Sequence, residues 1–132
     1  MYQKFQNKNF TADNKARAFI ESKKLKTLWF NTGTLCNLTC KNCYIESSPK
    51  NDRLSYLSFD EFKIFVNESI QNEMGTEEIG FTGGEPFMNK DIFKMIKYSL
   101  DNGFKTLVLT NAMKPMMNNK NDLNKLNHLN LT

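Results

Sequence analysis

The three cysteines of the chain lie close together, in the segment LCNLTCKNCY at positions 35–44. Three residues separate Cys36 from Cys40, and two separate Cys40 from Cys43. An odd number of cysteines leaves one thiol unpaired in any disulfide framework, so this grouping favours metal binding in a reducing compartment.

Three chemistries remain open for these thiols. A thiol redox protein could use the C-x-x-C pair Cys40 and Cys43, but it would have no need of Cys36. A structural zinc site needs four protein ligands, and His128, the single histidine, lies far from the cysteines in sequence. An iron–sulfur cluster fits better, because thiolates are its usual ligands. A four-iron cluster held by three thiolates would keep one iron open to a small molecule.

Three short β-rich runs predict the strands that must position this segment. They are Thr27–Asn31, Glu77–Thr82 and Phe104–Thr110. The segments between them are long enough for helical crossovers, which make neighbouring strands parallel. The predicted fold class is therefore α/β with a parallel sheet. The loops that leave the carboxyl ends of such strands meet at one edge of the sheet, where sites are built.

The crossover helices have their own start and stop signals. Ser58 and Glu61 have the spacing of a capping box, and apolar residues then recur at helical spacing. Asn89 is the predicted cap of the second helix, and Gly103 is its predicted stop. The tail, residues 118–132, is compatible either with a weak amphipathic helix or with a frayed end.

The polar segment 1–26 is predicted to be an N-terminal extension, with the truncated core domain over 27–132. Apolar spacing within the extension predicts a short helix over Ala12–Ser22. Five aromatic residues of the core domain are predicted to be buried: Trp29, Phe30, Phe62, Phe65 and Phe93.

The composition disfavours a nucleic-acid partner, a membrane-spanning segment and secretion. The formal net charge is +4, and the basic residues are scattered apart from Lys23, Lys24 and Lys26, so a nucleic-acid partner is not favoured. No apolar run reaches the roughly 18 residues that span a bilayer. The N-terminus lacks the apolar core of a secretory signal. We therefore expect a cytoplasmic location without membrane partners.

Two further motifs end the second and third predicted strands. Gly83-Gly84-Glu85-Pro86, the GGEP motif, follows the second strand, and Thr110-Asn111 ends the third. With the C-x3-C-x2-C spacing of the cysteines, they resemble the radical S-adenosylmethionine (radical SAM) superfamily. The surrounding CNLTCKNCY is similar to the branch that includes the molybdenum-cofactor and pyrroloquinoline-quinone maturases. The resemblance covers about residues 27–115. It implies a partial barrel of βα units, of which about three are present.

The resemblance also implies the cofactors. Cys36, Cys40 and Cys43 would ligate a [4Fe-4S] cluster, and S-adenosylmethionine would bind the open iron through its amino and carboxylate groups. Reductive cleavage of the sulfonium would give methionine and a 5′-deoxyadenosyl radical that abstracts hydrogen from a substrate. A non-catalytic iron–sulfur or zinc module, or a C-x-x-C redox protein, is the alternative.

Five residues are expected to contact S-adenosylmethionine by this resemblance. Glycine lets a backbone approach a ligand closely, so the carbonyls of Gly83 and Gly84 can accept hydrogen bonds from an ammonium group. The Glu85 carboxylate would add charge complementarity. Asn42 stands where the family commonly has an aromatic residue near the adenine, so only its backbone is expected to contact that ring. Thr110 completes the set.

The resemblance implies partners that the chain does not contain. The substrate would be a small molecule or a peptide, and a reducing protein such as a flavodoxin or ferredoxin would donate the electron. The residues that act on the substrate are unknown. Because a complete family core resembles six βα units, we expect a fragment or a half-barrel completed by another chain. Leu129–Thr132 resembles the beginning of a fourth strand.

Overall fold

A three-stranded parallel sheet forms the centre of the computed structural model, which describes residues 7–21 and 23–126. The strands are β1 (Thr27–Asn31), β2 (Glu78–Thr82) and β3 (Lys105–Val108), in the order β1-β2-β3. The predicted α/β fold class is confirmed. The first strand has its predicted bounds, whereas β2 and β3 are shorter than the runs that predicted them.

Two helices make the parallel connections, and shorter helical segments follow the second and third strands. The crossovers are α1 (Phe59–Gln71) and α2 (Ile92–Asp101). A 3-10 turn, Pro86–Met88, follows the GGEP loop. After β3 come α3 (Lys114–Met117) and α4 (Lys120–Leu126), so of the two alternatives for the tail the described part, as far as Leu126, has the helix. The predicted start of a fourth strand lies outside the described residues.

The predicted capping box at the start of α1 is confirmed. The Ser58 hydroxyl accepts a hydrogen bond from Glu61 N, and the Glu61 carboxylate accepts one from Ser58 N at 2.9 Å. The Ser58 hydroxyl also donates to the Glu61 carboxylate at 2.6 Å. The hydrogen bonds from Ser58, first from its hydroxyl and then from its N–H, lower the pKa of Glu61.

The prediction that Asn89 caps α2 is wrong, because that helix begins at Ile92 with Asp91 as its N-cap. Asn89 is instead buried, and its Nδ2 donates to the carbonyl oxygens of Thr32 at 3.2 Å and Leu57 at 2.8 Å. Its Oδ1 accepts from Asp91 N. An amide can donate and accept at once, so Asn89 links the loop after β1 to both segments that precede the helices.

The apolar core lies between the sheet and the two crossover helices. Phe30 of β1 meets Phe62 of α1 edge to face, with ring centroids 4.6 Å apart. Successive side chains of a strand point to opposite faces, and those on the helix side of the sheet are the ones in the core. The core consists of Phe30, Phe62, Val66, Ile79, Phe81, Phe87, Ile92, Met95, Ile96, Leu100, Phe104 and Leu126.

Two residues predicted to be buried are not. Trp29 is 45% exposed, because it occupies the face of the sheet that the described helices leave uncovered. Its indole lies over Gly80, where an added Cβ would come within 2.4 Å of the ring. Phe65 is 52% exposed on α1, although its ring remains 6.3 Å from that of Phe30.

The predicted N-terminal helix is also wrong, since no helix forms in the described part of that segment, residues 7–21 and 23–26. A tight turn joins Phe10 to Ala16 through an antiparallel bridge, with Asn14 in the left-handed region at φ 57°. The Thr11 hydroxyl accepts from Lys15 N within this turn. Such local bonds compete with helix formation. Among the described residues, no helix has the length and apolar character needed to cross a bilayer.

Replacement of Ser58 by alanine (Ser58→Ala) should lower the free energy of unfolding by about 1 kcal/mol at neutral pH, because α1 loses its side-chain cap. Urea denaturation measures this loss, and Ser55→Ala, at an exposed serine outside the helix, is the matched control. Since the stability linked to the lowered pKa of Glu61 is lost as pH falls through that pKa, the difference from wild type should shrink in acid. A difference that is independent of pH would contradict this role of Glu61.

Candidate metal and cofactor site

Three loops meet at the carboxyl edge of the sheet, as the parallel topology predicts. They are the cysteine loop after β1, the GGEP loop after β2 and the Thr110-Asn111 segment after β3. Main-chain and side-chain hydrogen bonds connect all three. Motifs distant in sequence are therefore adjacent in space.

The GGEP loop packs directly on the backbone that leads into the cysteines. Gly84 N donates to Gly33 O at 2.9 Å, and Glu85 N donates to Leu35 O at 3.0 Å. A Cβ on Gly84 would lie 2.1 Å from the Leu35 carbonyl oxygen, so no side chain fits there. Gly83 has φ +132°, a conformation that L-residues rarely adopt. The glycines are thus required for the contact between two loops of the protein itself.

The main-chain carbonyls of Gly83 and Gly84 accept no hydrogen bond from any residue that the structure describes. Both residues are partly exposed. Two neighbouring carbonyl oxygens without a protein donor can accept from a ligand such as an ammonium group. This arrangement is compatible with the predicted contact to S-adenosylmethionine.

The Glu85 carboxylate is inside the protein, with only 1% of the residue exposed. It accepts hydrogen bonds from Phe87 N at 3.1 Å, from the Thr110 hydroxyl at 2.8 and 2.9 Å, and from Asn111 N at 2.9 Å. Two side chains predicted to contact the cofactor, those of Glu85 and Thr110, therefore bond to each other. Their contact joins the loop after β2 to the end of β3.

The three thiols differ in environment. Cys36 is buried at 6% exposure, Cys43 is partly exposed and Cys40 is exposed, and all three are free. Leu38 N donates to Cys36 Sγ at 3.4 Å, and Ser47 N donates to Cys43 Sγ at 3.3 Å.

The main-chain N–H groups of Ile45 and, next, Ser47 lower the pKa of the Cys43 thiol. The Ser47 side chain lowers this pKa further, and its buried Oγ has no hydrogen-bond partner among the described residues. A lowered pKa favours the thiolate, which is the form that binds metal.

The donors on the cysteine loop are three thiols, the ligand type that holds an iron–sulfur cluster. Nowhere in residues 7–21 and 23–126 do three His, Cys, Asp or Glu side chains group closely enough to hold one metal ion. Zinc needs its ligands around a single centre, whereas a cluster presents a separate iron to each thiolate. Three free thiols lie on this one loop, and two of them accept main-chain N–H bonds.

Side chains outside the predicted set also connect the loops. Asn111 Nδ2 donates to Asn37 Oδ1 at 3.0 Å and lies 3.7 Å from Cys36 Sγ. The hydroxyl of exposed Tyr44 is 3.2 Å from Thr82 Oγ1 at the end of β2. The predicted contact residue Asn42 is exposed between Cys40 and Cys43. The Thr-Asn motif pointed to the right segment, but its sequence alone could not reveal which cysteine Asn111 would reach.

Alanine at position 84 (Gly84→Ala) should separate the GGEP and cysteine loops, because its Cβ would collide with the Leu35 carbonyl. We expect buried Cys36 to be alkylated at least several-fold faster than in wild type, measured by mass spectrometry under native conditions. Gly103→Ala is the control: it has open space around the new Cβ but φ +82°, so it should cost about 1–2 kcal/mol of stability without exposing Cys36. Equal rates of Cys36 alkylation in the two variants would show that the packing of Gly84 against Leu35 does not shield Cys36.

Removal of the Thr110 hydroxyl (Thr110→Val) should destabilise the protein by about 1–3 kcal/mol, because it leaves the buried Glu85 carboxylate short of a donor. Thr110→Ser retains the hydroxyl and should lose clearly less. Thermal unfolding of the two variants gives the comparison. Valine and serine variants of equal stability would show that the hydroxyl bond to Glu85 contributes nothing measurable.

Comparison with known proteins gives a family and a fold. The family model of the radical SAM superfamily matches residues 30–132. The crystal structure of Streptococcus suis SuiB bound to S-adenosylmethionine superposes with a TM-score of 0.55 at 25% sequence identity, over 70% of this chain and 20% of that one.

Curated relatives support the same family. The S-adenosylmethionine-dependent nucleotide dehydratase of Selenomonas ruminantium is 31% identical over 58% of this chain and 26% of its own length. The GTP 3′,8-cyclase of Pasteurella multocida is 34% identical over 48% of this chain and 18% of its own length, and it represents the predicted maturase branch. The chain thus spans about a quarter or less of the relatives it matches.

The predicted cofactors, a [4Fe-4S] cluster and S-adenosylmethionine, are those of the matched family. The prediction of a radical SAM protein is confirmed by the family model and by the solved neighbour. This chain belongs to the radical SAM superfamily.

Proposed function

We propose that this chain forms the cluster-binding part of a radical SAM enzyme. Cys36, Cys40 and Cys43 would hold a [4Fe-4S] cluster, and the carbonyls of Gly83 and Gly84 would accept from the amino group of S-adenosylmethionine. When bound, the two cofactors would supply a 5′-deoxyadenosyl radical for hydrogen abstraction from a substrate, with one electron taken up and methionine released on cleavage of the sulfonium.

The backbone pairing of the GGEP loop with the cysteine loop carries this proposal. Through Gly84 N and Glu85 N, the two free glycine carbonyls are held beside the segment that leads into Cys36. A ligand on the open iron would therefore have hydrogen-bond acceptors within the neighbouring loop. Asn42 would contribute its main chain to the adenine side.

Glu85 and Thr110 take a different role in this proposal from the one expected from sequence. Because their side chains bond to each other inside the protein, they would support S-adenosylmethionine by positioning the GGEP backbone. The buried Glu85 charge would add a favourable field for a nearby ammonium.

The remainder of the barrel would come from further βα units, either in a longer polypeptide or in a complementing chain. Among the described strands, β3 has a free edge, and exposed Trp29 and Leu109 mark apolar surface beside the sheet. Free edges and apolar patches of this kind favour association.

The substrate class, a small molecule or a peptide, stays a prediction. The matched relatives carry names of different reactions, a nucleotide dehydration and a GTP cyclisation. The segment that they share with this chain therefore does not specify a substrate.

We propose a cytoplasmic location and an electron supply from a reducing protein such as a flavodoxin or ferredoxin. Exposed Cys40 and partly exposed Cys43 are free thiols. Such thiols, and a cluster bound to them, persist in a reducing compartment.

Anaerobic reconstitution with iron and sulfide tests the proposal. The 132-residue chain should bind about four irons and four sulfides per molecule, the composition of the cluster. The electron paramagnetic resonance spectrum of the reduced protein should change when S-adenosylmethionine is added. Each of the variants Cys36→Ser, Cys40→Ser and Cys43→Ser should lose most of the iron.

His128→Ala is the control, because a zinc site completed by that histidine would require it and a three-cysteine cluster would not. Unchanged iron content in this variant supports the cluster. A product that contains zinc alone, or thiol redox cycling that persists in Cys36→Ser, would replace the proposed function by one of the two alternatives. For enzymatic activity the readout is 5′-deoxyadenosine, released under reductant by a protein that carries the missing βα units.

A further inference from the structure

Asn111 connects all three loops of the site by its main chain and its side chain. Its N–H donates to the Glu85 carboxylate, and its Oδ1 accepts from Met113 N at 3.0 Å. Its Nδ2 faces Asn37 Oδ1 and Cys36 Sγ. A single side chain at the end of β3 thereby reaches the buried cysteine that follows β1.

The orientation of the Asn111 amide follows from its partners. Met113 N–H can only donate, so the group that faces it must be the carbonyl oxygen Oδ1. The NH2 group must then point the other way, with one hydrogen for Asn37 Oδ1 and one for Cys36 Sγ. The distance of 3.7 Å is compatible with a hydrogen bond to sulfur.

Cys36 differs from the other two thiols in the hydrogen bonds that its sulfur accepts. Its sulfur is buried and has two donors, Leu38 N and Asn111 Nδ2. Cys43 accepts from Ser47 N, and Cys40 accepts from no described residue. Among the described residues, therefore, the Cys36 sulfur is the one thiol of the site that accepts from a side chain of another loop.

We infer that Asn111 is a positioning residue that sets the reduction potential of the cluster through its hydrogen bond to the Cys36 sulfur. One-electron reduction adds negative charge to a cluster and its thiolates. A donor aimed at a ligating sulfur stabilises that charge, and such bonds are among the protein's means of setting cluster potentials. Because Cys36 is shielded from water, solvent cannot replace the missing donor. This inference rests on the proposed function.

Two substitutions of Asn111 test the effect of its hydrogen bond to the Cys36 sulfur. Asn111→Leu removes the donor at similar size, and Asn111→Asp puts a carboxylate in its place. The one-electron reduction of the reconstituted cluster, with dithionite as the electron source, is followed by electron paramagnetic resonance at controlled potential and without S-adenosylmethionine. No proton or leaving group takes part in this reduction.

We expect the midpoint potential to fall in the order wild type, Asn111→Leu, Asn111→Asp. The aspartate variant should shift the reduction equilibrium by about tenfold or more, which corresponds to about 59 mV for one electron. Asn72→Asp adds the same charge at the exposed C-terminal end of α1, near the opposite edge of the sheet, and should leave the potential unchanged.

The outcomes distinguish this inference from the function on which it rests. If the wild-type chain takes up no cluster, the proposed function fails. If the cluster forms and both Asn111 variants keep the wild-type potential, the inference is overturned and the function stands. If one Asn111 variant takes up no cluster, the midpoint potential of the other variant is the test. A change in that potential no larger than the change caused by the control Asn72→Asp overturns the inference.

Discussion

The buried carboxylate of Glu85 is the group on which the arrangement of the site depends. A carboxylate away from water costs several kcal/mol unless it is well hydrogen-bonded. Its donors come from its own loop, at Phe87 N, and from the segment after β3, at the Thr110 hydroxyl and Asn111 N. Satisfying this one group therefore fixes the carboxyl ends of β2 and β3 relative to each other.

The same short segment also holds the cysteine loop. While the Glu85 side chain bonds toward β3, the N–H groups of Gly84 and Glu85 bond to carbonyls after β1. The side chain of Glu85 thus bonds to the segment after β3, and the main chain of the GGEP loop bonds to the segment after β1. The carbonyls of Gly83 and Gly84, which have no donor among the described residues, remain available to a ligand. The absence of a Cβ at position 84 permits this, because the Leu35 carbonyl occupies the space that a Cβ would need. Structural and binding requirements therefore coincide in one motif.

Features that depend on near neighbours could be predicted well. The first strand, the capping box at Ser58 and the stop at Gly103 follow from local propensity and short-range bonds. The expected N-terminal helix did not form, because a local turn bonded through Thr11 replaces it. Trp29 was expected to be buried, but the described helices cover only the other face of the sheet. Periodicity indicates which residues share a face, not whether another layer covers that face.

The sequence by itself determined the kinds of group available: three thiols at C-x3-C-x2-C spacing, a GGEP loop after a strand, and the βα alternation that brings both to one edge. The tertiary structure alone decided which groups touch. Asn111 lies 75 positions from Cys36 and 26 from Glu85, yet it bonds to both. Contacts over such separations depend on the parallel register of three strands and on how two loops pack, and no local preference of the chain encodes them.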